Sequence, residues 1–161
     1  MYKMEQDELI IRLKEEFKKI KTELNFKSTY EEIDKIFYIE DDVIQKKYVS
    51  SKYSRQLCSR MTDLFDKYIG YFHNLVMPNP SSMISQTETN LFNEEEKQSF
   101  IKLMNKLMYL STKNTLAGVK NDKRLEAEFI DEGLIYCNEE LIPKMTKIME
   151  KINTYWKNPQ N

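Results

Sequence analysis

Tyr53–Val76, YSRQLCSRMTDLFDKYIGYFHNLV, is the stretch that decides the fold. Tyr53, Leu57, Met61, Leu64, Phe65, Tyr68, Phe72, Leu75 and Val76 recur mostly at steps of three and four. At 3.6 residues per turn these positions share one apolar face several turns long. Arg55, Asp63, Asp66 and Asn74 fall elsewhere on the wheel. A face that wide has to be covered by other helices. The expectation is therefore an all-α chain: one domain over residues 1–161, an antiparallel bundle of about five helices, with one long loop after this central helix.

N-terminal to it, residues 5–24 read as an amphipathic helix. Ile10, Leu13, Phe17, Ile20 and Leu24 alternate steps of three and four, the spacing of a coiled-coil seam. The pattern lasts little more than two heptads, so a bundle helix is the plain reading and a dimerising seam the sharper one. Ser28 with Glu31 has the spacing of a capping box, which predicts a second helix from Thr29. The acids Glu40, Asp41 and Asp42 mark a helix end or a new start, with Asp41 or Asp42 as the cap.

C-terminal to the central helix, Met77-Pro78-Asn79-Pro80 is a firm stop. Residues 81–90, SSMISQTETN, show no period and read as a loop, either a plain surface connection or a partner-binding segment rich in hydroxyls. Asn93 followed by three glutamates starts a helix that should stop near Gly118, with Phe100, Met104, Leu107, Met108 and Ser111 inward. A shorter helix is expected over residues 122–131, interrupted near Gly133. A last one should start near Asn138, with Leu141, Met145, Ile148, Ile152 and Tyr155 on its core side. Residues 157–161 read as a polar tail.

Composition narrows the function classes. Three glycines and four prolines are too few for an all-β chain or a phosphate-cradling loop. The two cysteines, Cys58 and Cys137, stand alone, and His73 is the only histidine, so no zinc spacing exists. His73 falls away from the central apolar stripe and has no neighbouring nucleophile motif. No catalytic residue, cofactor, metal or small-molecule substrate is expected. No apolar run approaches membrane-spanning length, and the polar, acidic N-terminus does not read as a signal peptide. A reducing, cytoplasmic setting fits.

Net charge is −1, so only local clustering could favour a polyanion. Between Asp42 and Asp63 there is no acid, while Lys46, Lys47, Lys52, Arg55 and Arg60 all carry positive charge. A second acid-free run holds Lys102, Lys106, Lys113 and Lys120 at steps of four and seven. Basic ridges with interleaved aromatics and hydroxyls can hold phosphate backbones, although solvated helix faces look the same. Two functions are carried forward. One is a non-enzymatic helical interaction protein, an adaptor or accessory subunit binding a protein partner or a second copy through its first and last helices. The alternative is a nucleic-acid-associated accessory factor using those basic residues.

Overall fold

The computed structural model describes residues 2–159; Gln160 and Asn161 of the expected polar tail lie outside it. The fold is all-α and the chain forms a helical bundle, with no strand among the described residues. In chain order the α-helices are α1 Tyr2–Leu24, α2 Tyr30–Phe37, α3 Ile39–Lys46, α4 Tyr53–Val76, α5 Met83–Thr89, α6 Glu94–Lys120, α7 Lys123–Tyr136 and α8 Ile142–Lys157. A wider π turn, Cys137–Leu141, joins the last two. Among the described residues there are eight helices against the expected count of about five, and two of the additions come from features that a helical wheel hides. Tyr38, in the left-handed region at φ 50°, separates α2 from α3, and the supposed loop contains α5.

Two compact units divide the chain. The first takes residues up to Leu64 together with Leu110–Ile135; the second takes Phe65–Tyr109 and residues from Tyr136 onward. In the first unit the apolar side of α1 is spent internally: Leu13, Phe17, Ile20 and Leu24 are buried. Phe17 meets Phe26 and Tyr30 edge-on, at 5.7 and 5.2 Å between centroids. Ile33, Phe37, Val43, Tyr53, Leu57 and Met61 complete that core with Phe129 and Ile130. In the second unit Phe72 stacks on Phe100, which also takes the edge of Phe92. Buried Leu75, Leu103, Leu107, Leu141, Ile148 and Ile152 close around them.

Local chemistry explains the boundaries. The capping box belongs to Thr29 and Glu32, one residue later than expected. Ser28 is unavailable because its hydroxyl donates to Asp131 (2.7 Å), which draws it inward. The acids Glu40, Asp41 and Asp42 do begin a helix, lying in the first turn of α3 where the dipole favours them, but Tyr38 takes the cap position. Ser82 caps α5 through Ser85 N, and buried Thr89 ties it down by donating to Leu75 O. Asn93 and Glu96 form a reciprocal cap on α6. That helix passes Gly118 and ends at Lys120, with Asn121 left-handed. A Cβ at Gly118 would lie 2.9 Å from Arg55 Nη2, the far end of a flexible side chain.

The inward face of α6 uses Phe100, Leu103, Leu107, Leu110 and Ala117, whereas Met108 is exposed. Helix α7 runs through Gly133 without interruption. No fresh start occurs near Asn138; the ladder widens instead, with Ile142 N–H bonded to Cys137 O. Pro143, which has no N–H to donate, follows directly, where the register has already been reset.

Lys47 ends α3 at φ 54°, an uncomfortable geometry for a side chain with a Cβ. Lys47→Gly is expected to raise stability by roughly 0.5–1 kcal/mol, measured by urea unfolding. A loss of stability would show that the lysine side chain contributes more than its backbone costs.

Candidate interaction surfaces

Four of the eight cations singled out in the sequence are held inside the first unit. Arg55 Nη1 lies 3.1 Å from the carboxylate of Glu126, which is only 5% exposed, and Arg55 Nη2 donates to Asn114 O at 3.4 Å. Arg60 Nε donates to Phe37 O at 2.7 Å, and its Nη1 is 3.9 Å from buried Asp42. Lys46 sits 2.9 Å from that same carboxylate. Lys113, itself buried, reaches Glu128 at 2.9 Å and Glu132 at 2.8 Å. Lys113 also holds the Glu128 carboxyl below the usual range, first by its hydrogen bond and then by its charge.

Arg55 and Lys113 with their partners stitch α4, α6 and α7, Arg60 ties α4 to α2 and α3, and Asn114 Nδ2 adds a bond to Thr62 Oγ1 (2.8 Å). Buried charges need such partners, because an uncompensated one is expensive. Lys47 and Lys52 are exposed beside the turn that enters α4. Lys102 and Lys106 belong to the second unit, where Lys106 lies over the Tyr109 ring at 4.8 Å.

His73 is exposed on α4. Burial pushes the thiols of Cys58 and Cys137 up to about 12, so both stay protonated. No cluster of three or more His, Cys, Asp or Glu among the described residues is arranged for a metal ion. No described helix is long and apolar enough to cross a membrane.

Helix α8 carries the surface features that the sequence reading passed over. Its core side, Ile148 and Ile152, is buried. Counting about 100° per residue, Ile142, Met149 and Trp156 lie together on one shoulder beside that core side. Steps of seven drift by only about 20° each, so the three make one row. They are 42%, 41% and 40% exposed. The last member of the row, Trp156, donates from Nε1 to Glu88 Oε1 at 3.0 Å.

The other shoulder of α8 carries Lys144, Lys147 and Lys151. With Glu96, Ser99 and Phe92 they rim a groove of about 210 Å³, floored by Phe100, Leu103 and Ile148. Helices α6 and α8 run antiparallel along it. Lys151 pairs with Glu96 at 3.0 Å, and at the end of α7 the Tyr136 hydroxyl donates to Leu103 O at 3.3 Å. Lys151 also covers the Phe92 ring at 4.9 Å. The Glu96 carboxyl is held below its usual range by Asn93 N–H first, then by Lys151. Lys144 has a loose pair with Glu140 at 3.5 Å, and Lys147 makes no ion pair among the described residues.

Legible clues to both shoulders were present: the seven-residue spacing of Ile142, Met149 and Trp156, and three lysines within eight positions. The stronger three-four pattern of the buried side masked them. No family model, curated protein or solved structure matches this chain.

Proposed function

We propose that the chain is a non-enzymatic helical interaction protein whose binding helix is α8. The observation that carries this reading is the half-exposed row Ile142–Met149–Trp156 on a helix whose core side is already filled. Single exposed apolar residues are ordinary on any surface. Three large ones in a row on one helix give a partner a continuous strip, and Trp and Met are suited to interfaces: Trp for its area, Met for its adaptability. The Glu88 bond favours one orientation of the indole, and any such bias lowers the ordering cost of binding.

The seam-like side of α1, the other surface expected to bind, is used within its own unit. Contact with nucleic acid is less well supported, because Arg55, Arg60, Lys46 and Lys113 already serve internal carboxylates or carbonyls.

The test compares proteins recovered with the tagged full chain from its own cells against those recovered with Met149→Glu. The substitution is expected to remove the specific partners while leaving the helical signal and unfolding midpoint unchanged, since the site is exposed. Equal recovery with the variant would overturn the reading. Sedimentation at rising concentration tells whether the partner is a second copy.

A further inference from the structure

We propose that the occupant of the α8 row is a second copy of this chain, a proposal that rests on α8 being the binding helix. The two α8 helices run antiparallel in the pair, with a two-fold axis beside Met149.

The row is open, and its spacing is that of a helix–helix seam. Ile142, Met149 and Trp156 are 42%, 41% and 40% exposed. Thr146 and Asn153, both exposed, fall between them. Together Ile142, Thr146, Met149, Asn153 and Trp156 step by four, three, four and three, the alternation of a coiled-coil seam. All five lie within about 80° of arc on a strip about 21 Å long. None carries a charge.

What selects a second copy is that this helix is complementary to its own reverse. Turned about Met149, Ile142 faces Trp156 of the other copy, and Met149 meets Met149, whose unbranched chain adapts to the contact. Thr146 faces Asn153 of the other copy. Its hydroxyl already donates to Ile142 O and can accept the asparagine N–H, so neither polar group is buried alone.

The charges beside the strip follow the same symmetry with the sign reversed. Glu139, Lys147, Glu150 and Lys157 lie round to one side of it, all exposed, and none has an ion pair among the described residues. Antiparallel pairing brings Glu139 beside Lys157 of the other copy, and Lys147 beside its Glu150. Parallel pairing sets each charge against its like. A net charge of −1 adds little repulsion between copies. One strip of this length is smaller than the interfaces of permanent dimers, so the pair should exchange with monomer.

Sedimentation equilibrium of the full chain at rising concentration is expected to show monomer passing to dimer. Met149→Glu should weaken the association about tenfold or more with its helical signal intact. Orientation is read with a short bismaleimide, which leaves the parent chain unlinked because Cys58 and Cys137 are buried. Met149→Cys should link to itself. Ile142→Cys should not, since its two copies stand about 21 Å apart along the pair, but it should link to Trp156→Cys when the two variants are mixed. The second copy is overturned by a monomer at every concentration, by a dimer that Met149→Glu leaves equally tight, or by Ile142→Cys linking to itself. A monomeric chain that still loses its cellular partners through Met149→Glu refutes the second copy and leaves α8 as the binding helix. A dimer and a set of partners both untouched by Met149→Glu refute the α8 reading as well.

Discussion

Arg55→Ala is expected to cost about 3 kcal/mol of stability, lowering the unfolding midpoint by on the order of 10 °C. The loss comes less from the missing ion pair than from what is left behind. Glu126 is 5% exposed, and Arg55→Ala takes away the cation beside its buried carboxyl group. The same guanidinium lies against Gly118 and approaches the Asn114 carbonyl, so truncation also opens a hole where α6 has no side chain to offer. Arg55 is itself about one-third exposed, and water will soften the penalty below that of a fully buried pair. Replacing both partners, Arg55→Met with Glu126→Leu, should recover most of the loss, because neither charge then needs compensation. Urea unfolding of the two single variants and the double variant checks this. A loss below about 1 kcal/mol in Arg55→Ala, or a double variant as unstable as the single, would contradict it.

Asp131→Ala should be the second large effect, at about 2–3 kcal/mol. This carboxylate takes Lys27 N–H at 2.9 Å, Ser28 N–H at 3.0 Å and the Ser28 hydroxyl at 2.7 Å, with Ser28 buried. The opposite side of the same loop is gripped by Lys21, whose ammonium donates to the carbonyls of Phe26, Lys27 and Ser28. Donors and acceptors of the α1–α2 connection are thus both engaged by side chains in place of a regular ladder. With Asp131 removed, two backbone N–H groups and a hydroxyl lose their acceptor together. Asp131→Asn keeps one oxygen and should lose about half as much. Amide exchange at Lys27 and Ser28 should quicken in both variants, more so in the alanine one. Unchanged exchange at those two amides would show that the loop is held by something else.

The helices were legible because their causes are local. Three-four spacing of Tyr53, Leu57, Met61, Phe65 and Phe72 gave α4 with its observed ends, and the prolines at 78 and 80 gave its stop. Asn93 with Glu96 gave the start of α6. Phase was harder. On α6 both Met104–Met108 and Leu103–Leu110 are apolar at helical spacing, and only the opposing side chains decide which faces inward. Helix α5 stayed hidden because seven residues are too few to show a period.

The candidate site was less legible for a related reason. A run of positive charge looks free in sequence when its carboxylates are far along the chain: Glu126 is 71 positions from Arg55. Asp131 stands 103 positions from Ser28, so its removal of that serine from the cap could not be read locally. On α8 the information was present but ambiguous, since an apolar row at sevens beside one at threes and fours reads as a single broad core side until burial separates them.

The most direct measurement places a photoreactive phenylalanine at position 149 of the full chain, with position 98 on the exposed part of α6 as control, and irradiates it in its own cells. A discrete adduct from position 149, with none from position 98, is the expected result. Its mass tells a second copy from another protein. No adduct from position 149, or the same diffuse labelling from both positions, would contradict the assignment of α8 as the binding helix.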